Sequence, residues 1–258
     1  MPKPNGFIFW QGPSLIDGSP IVVIATGLAK KSANEKTGAM VQTFIIRSDI
    51  HPVVAIKSGD DVSVCGQCPK RPALFQKQFE GDQPCYVDVP KSVAAVYRCF
   101  RRGGYPTLSP AEAAQALAGR KLRLGAYGNP SAAPFEVWQE AASLTIGHTG
   151  YIHNWRDADP RWSALCMASV ETVPDAIAAR KLGYRLFRVR QSADPLLDRE
   201  IACPASKEAG FRTVCFDCMA CGGKTAPRQG RHRDRCSLAR DPPLKKPPSG
   251  GFFLGLGL

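Results

Sequence analysis

Between residues 121 and 204 the chain alternates short β-branched or aromatic runs with short helical ones, and this alternation restricts the fold more than any other feature. Leu122–Tyr127 is strand-like and a helix follows from about Pro134 to Ala142. Gly150–Trp155 and Cys166–Val170 are further strands. The second leads into a helix with Thr172 as its N-cap, Asp175 in its first turn and Gly183 after its end. Tyr184–Val189 and Glu200–Pro204 complete the set. Strands joined through helices pair in parallel, with right-handed crossovers. The fold class predicted is α/β, as a partial β/α barrel or an open parallel sheet.

The N-terminal quarter reads differently. Gly6–Gln11, Pro20–Gly27, Met40–Arg47 and His51–Lys57 are four β-like runs, and Gly or Pro marks turns between several of them. Residues 34–38, Asn-Glu-Lys-Thr-Gly, read as an exposed loop. Residues 1–60 are therefore expected to form a mostly antiparallel β segment packed on an α/β domain of residues 61–223. The chain is loop-like from Cys65 to Cys85, then helical over Tyr86–Arg101. A second helix is marked by Ser109 as N-cap, Pro110 at the first position and Glu112 closing a capping box, with Gly119 as its stop.

Residues 224–258 lack periodicity and are rich in Arg, Pro and Gly, so they are expected to be a disordered basic tail. The tail holds eight Lys or Arg against two Asp, half of the net charge of +12, and a nucleic-acid partner is one implication. Arg180, Lys181, Arg185, Arg188 and Arg190 form a second basic cluster, readable as a phosphate-binding face or as a helix-dipole complement. No run approaches the roughly 18 apolar residues of a membrane helix, and the N-terminus has no signal-peptide core. A cytoplasmic location follows as the expectation.

In a reducing compartment ten cysteines point to metal or redox chemistry more than to disulfides. Cys215, Cys218 and Cys221 form C-x2-C-x2-C, with Cys203 twelve positions upstream of Cys215. Two-residue gaps let successive thiolates converge from a tight turn, and four satisfy either tetrahedral zinc or a cubane iron–sulfur cluster. Cys65, Cys68 and Cys85 form C-x2-C-x16-C, three thiolates with one position open to water or substrate unless Cys99 closes it. Cys166 lies in an apolar strand and reads as a core thiol; Cys236 reads as a bystander in the tail.

His153, near a strand end, is a candidate acid–base group or ligand, and equally a hydrogen-bonded structural histidine. The loop Gly125–Pro130, which contains Asn129, is either an anion-binding turn or an ordinary tight one.

The runs GSPIVVIATGL, KTGAMVQTFIIR, VCGQCPKR with CYV, LGAYGNPSAAPFEVW, TGYIHNW, LCMASVET and CPASKEAG with CxxCxxC resemble an uncharacterised cysteine-rich family of bacteriophages and proteobacterial mobile elements. The resemblance covers roughly residues 7–223 and implies no established activity. More loosely, the CxxC…CY element followed by β/α units is similar to phage-encoded radical-SAM-like barrel proteins. That similarity implies a catalytic iron–sulfur cluster on Cys65, Cys68 and Cys85, an auxiliary one on the later four cysteines, S-adenosylmethionine as cofactor, and a cavity that also includes Asn129 and His153. The chain departs from that pattern in lacking CxxxCxxC.

Overall fold

In a computed structural model, residues 4–30, 36–71, 85–191, 193–198 and 200–224 are described, together with the backbone of 235–240. The first three strands are β1 (Gly6–Pro13), β2 (Pro20–Thr26) and β3 (Val41–Arg47). They pair antiparallel; β2 and β3 are buried over most of their length, their β-branched and aromatic side chains covered on both faces, and β1 is buried over its first half.

The fourth β-like run is a helix. Pro52–Ser58 forms α1, with the His51 side chain accepting from the Val53 amide, Pro52 in the first turn and Gly59 in the left-handed conformation (φ 86°) as its stop. Val53, Val54 and Ile56 carry the β preference, but the cap, the proline and the glycine act together on a seven-residue segment and prevail.

A single turn, α2 (Val62–Cys65), follows. Residues 89–93 make a π-turn that runs into α3 (Ala94–Arg101), and α4 (Pro110–Leu117) has the complete Ser109–Glu112 capping box. Then come β4 (Lys121–Tyr127), α5 (Phe135–Ala142), β5 (Gly147–Ile152) and the short α6 (Trp162–Leu165). The remaining elements are β6 (Met167–Val170), α7 (Val173–Lys181), β7 (Leu186–Gln191), β8 (Ile201–Ala202), α8 (Cys215–Cys218) and β9 (Arg235–Arg240).

The sheet runs β1-β2-β3-β4-β5-β6-β7-β9-β8, with every pairing from β3 onward parallel. The α/β class expected from the alternation holds, and among the described residues no pairing joins β1 to β8 to close a barrel. The antiparallel β1–β3 is continuous with the parallel part. One core, running from Phe7 through Ile45, Leu122 and Trp138 to Leu186, spans both and makes them one folding unit. Within it Phe9 meets Trp138 edge-on at 5.3 Å, which seats α5 against β1.

Among the other differences from expectation, three stand out. β5 starts at Gly147 rather than Gly150 and ends before His153, because His148 and Thr149, polar in sequence, are buried strand residues. Thr37 is 2% exposed rather than part of an exposed loop, since its hydroxyl accepts from Gln42 Nε2 at 2.8 Å. Finally, residues 235–240 form a strand inside the segment expected to be disordered, with Cys236 in register with Phe187; the rest of 225–258 lies outside the described residues. Among the described residues no helix is long and apolar enough to cross a membrane.

Candidate metal centres at the two edges of the parallel sheet

The two cysteine groups occupy opposite edges of the sheet. Cys65 closes α2, and Gly66 (φ 59°) turns the chain so that Cys68 follows on the same loop. The Asn129 amide, just past β4, donates to Val64 O at 2.6 Å, which pins α2 over the carboxyl ends of the strands. Arg71 locks the loop from inside. Its guanidinium makes a two-pronged pair with Asp61, Nε to Oδ2 at 3.0 Å and Nη2 to Oδ1 at 2.7 Å, and also donates to the carbonyls of Gly59 and Gly66. Asp61 is 2% and Arg71 6% exposed.

Cys65, Cys68 and Cys85 line one cavity of about 160 Å³ with Asp61, Lys70 and Tyr127, and its apolar wall includes Val53 and Val87. Burial is the largest influence on all three thiols and raises their pKa values, that of Cys68 to about 11, and Cys65 is raised further by its two cysteine neighbours. Two of the sulfurs accept a backbone amide two residues ahead, Cys68 from Lys70 and Cys85 from Val87, which favours the thiolate. Ligands of an open α/β sheet bind outside the carboxyl ends of its strands, which is this edge.

The other group lies at the amino edge. The Cys215 amide donates to Lys36 O at 2.8 Å and that of Phe216 to Thr37 O at 3.1 Å, docking α8 beside the start of β3. Lys121, first in β4, donates to Phe216 O at 2.6 Å and sits 4.1 Å over the Phe216 ring. Cys221 O accepts from the Gly150 amide at 2.9 Å. Cys203, Cys215 and Cys221 share a buried cluster with Met40, Met167 and Met219. Burial raises the Cys203 thiol to about 12, with Cys221 the next contributor, and raises Cys215 likewise. Cys203 also accepts the amide of Ala205, the same two-ahead pattern. Cys218 is half-buried one turn from Cys215.

All nine described cysteines are free thiols. Among the described residues no three His, Cys, Asp or Glu side chains close to metal-binding geometry. The donor chemistry nevertheless suits a soft cation: the sulfurs gather in two groups, and amides point at three of them. A change of χ1 well moves a cysteine sulfur by roughly 3 Å without backbone movement.

Cys99 stands apart, hydrogen-bonded with Tyr105, and Cys166 is fully buried in the main core as expected. Asn129 does not line the cavity. Its Nδ2 donates to Asn154 Oδ1 at 2.8 Å and its side chain caps the 3-10 turn at 130–132, a positioning task. In the same turn a Cβ on Gly128 would lie 2.7 Å from Ile45 Cβ, so it is a packed tight turn rather than an anion cradle.

His153 also stays outside the cavity lining. It follows β5 at the carboxyl edge, with its Nδ1 buried and without a hydrogen-bond partner among the described residues. Burial, helped by Lys70, lowers its pKa to about 3, so it is neutral near pH 7. Its folded pKa lies below the unfolded one of about 6.5, so the stability it contributes is full above pH 6.5 and lost as pH falls toward 3. Over that window His153→Gln is expected to reduce the slope of unfolding free energy against pH by up to about 1.4 kcal/mol per pH unit. Urea titrations at several pH values measure it, and unchanged slopes would refute the assignment.

The basic cluster is not one exposed face. Arg188 is 4% exposed and paired with Glu200 at 2.6 Å, and Arg190 is buried and paired with Glu208. Arg185 donates to Gly223 O at 2.9 Å, holding the end of the second cysteine segment.

Sequence reasoning missed Asp61, Lys70, Arg71, Tyr127 and Arg123. Lys70 is buried and paired with Glu171 at 2.5 Å, bringing the carboxyl end of β6 to the first cysteine group. Arg123 is 5% exposed, donates to the Tyr86 hydroxyl at 2.6 Å, and feels Cys215 and Cys221 from the centre of β4. Strand alternation sets Arg123 on the face opposite Leu122 and Leu124, but nothing in the sequence says what covers that face. Comparison of the chain with protein-family models, curated proteins and solved structures finds no match in any of the three.

Proposed function

We propose that the chain is a cysteine-ligated metalloprotein, binding zinc or an iron–sulfur cluster, with two centres of different duty. Cys203, Cys215, Cys218 and Cys221 would hold a closed centre that fastens the 203–223 segment to the amino edge. Cys65, Cys68 and Cys85 would hold an open centre at the carboxyl edge, where the working site of a parallel α/β sheet lies. The observation that carries the reading is the cavity shared by Cys65, Cys68 and Cys85, residues up to twenty positions apart, walled by apolar side chains and entered by the Lys70 chain. Bound metal at three thiolates supplies a vacant position for a small ligand. The protein’s own part is to exclude water with Val53, Ile56 and Val87 and to hold the loop rigid through Asp61–Arg71. A nucleic-acid face at Arg180–Arg190 has little support, since Arg188 and Arg190 are buried in ion pairs.

The test is anaerobic purification of the full chain, followed by metal analysis and a visible spectrum. A brown protein with a broad thiolate-to-iron band, or a colourless one with bound zinc, supports the reading. Replacing Cys65, Cys68 and Cys85 by serine is expected to remove one centre and leave the other filled. Natively prepared protein free of both metals would overturn the proposal.

A further inference from the structure

A permanent cation inside a protein needs a counter-charge. Arg123 is such a cation. It is 5% exposed, lies about 6.0 Å from the rings of both Tyr86 and Tyr151, and has the Tyr86 hydroxyl as a hydrogen-bond partner. Among the described residues no carboxylate forms an ion pair with it, whereas each of the other buried arginines described, Arg71, Arg188 and Arg190, has one. Tyr151, whose ring it approaches, packs against the buried cluster that holds Cys203, Cys215 and Cys221, and the groups that favour the Arg123 charge are Tyr86 and Tyr151 first, then Cys215 and Cys221. The placement is built: Lys121, two positions earlier on the same strand face, anchors Phe216 beside Cys215 through its carbonyl and its ring. Lys36, whose carbonyl holds the Cys215 amide, brings a second positive charge toward Cys203 and Cys215.

We infer that Arg123 and Lys36 are the fixed counter-charges of the amino-edge centre, matched to a four-thiolate site of net charge −2. Four thiolates around a divalent metal carry two negative charges, as does a four-thiolate cubane cluster in its oxidised form. Two cations balance either. The inference rests on the reading of Cys203, Cys215, Cys218 and Cys221 as ligands and adds the charge state in which they bind. Arg123 touches no metal in this scheme; it is a positioning residue acting through the thiolates.

The experiment uses the full chain with Cys65, Cys68 and Cys85 replaced by serine, so that one centre remains. Zinc affinity is measured by competition with a chromophoric chelator for Arg123, Arg123→Lys and Arg123→Met. Lysine and methionine have similar length and packing but differ in charge. Arg123→Met is expected to weaken zinc binding by roughly 10- to 100-fold, the usual cost of losing an outer partner of a metal site, and Arg123→Lys to restore most of it. Lys36→Met is expected to act in the same direction, more weakly. If Arg123→Met does not fold, Lys36→Met against Lys36→Arg decides. Equal affinities for charged and uncharged variants would overturn the counter-charge role, while a parent that binds no zinc or iron would overturn the metal reading itself.

Discussion

A strong chelator added to the metal-loaded chain is expected to release residues 203–223 while the sheet from β1 to β7 stays folded. The reason is how little regular structure and apolar packing hold that segment beside its hydrogen bonds. Its regular structure is one four-residue helix, far below the length at which a helix stands alone, and only the two-residue β8 precedes it. Its apolar contacts form a separate small cluster around Met40, Phe187, Val189, Ala205 and Met219, distinct from the main core. Structural zinc in small peptides contributes about 10–16 kcal/mol to folding, so an ion shared by these cysteines, as proposed, would be the dominant stabilising element. Hydrogen exchange reads the result. The amides of Cys218, Met219 and Gly150 donate to Val214, Cys215 and Cys221 carbonyls respectively, and each should exchange at least about 100-fold faster after chelation, equivalent to about 2.8 kcal/mol. Amides of β2 and β3 should not change. Unaltered exchange at Gly150 in a chain shown to have lost its metal would mean that the cysteines do not fasten the segment.

How much of this was legible beforehand depends on the range of the interactions involved. Ser109, Pro110 and Glu112 act within one turn, and their helix appears where the residues place it. The same holds for Thr172 and Asp175 ahead of α7. The run His51–Lys57 was misread because Val53, Val54 and Ile56 outweighed the equally local signals of His51, Pro52 and Gly59. β5 was misplaced by three residues because burial of His148 and Thr149 is a tertiary fact: His148 Nε2 meets Leu165 O at 3.1 Å across the sheet face.

The site divides in the same way. Spacing alone grouped Cys65 with Cys68, and Cys215 with Cys218 and Cys221. The fold sets Cys85 in one cavity with Cys65 and Cys68, and Cys203 in one buried cluster with Cys215 and Cys221. The partners that give each group its electrostatics were not legible. Arg123 and Lys70 look in sequence like ordinary solvated charges, and only the crossing of distant segments over the sheet face buries them.

Replacing Arg71 by methionine is expected to be the most destabilising single change at the carboxyl edge. The side chain holds four acceptors, two on Asp61 and the carbonyls of Gly59 and Gly66, so its removal leaves a carboxylate buried at 2% exposure with no counter-ion. Breaking one half of such a pair costs about 3–5 kcal/mol. For a chain of this size that corresponds to a fall in melting temperature of roughly 6–20 °C. Arg71→Lys should recover only part of the loss, because an ammonium cannot grip both carboxylate oxygens and two carbonyls from one plane. Asp61→Asn combined with Arg71→Met should be less destabilised than the sum of the two single variants, since it removes the stranded charge. The loop carrying Cys65 and Cys68 is what the pair clamps, so Arg71→Met should also weaken metal retention at the carboxyl edge by 10-fold or more, roughly the cost of an outer-partner mutation, while the amino-edge centre stays filled. Thermal unfolding with metal analysis of the same samples checks both. A melting temperature within a degree of the parent would show that the Asp61–Arg71 pair does not clamp the loop.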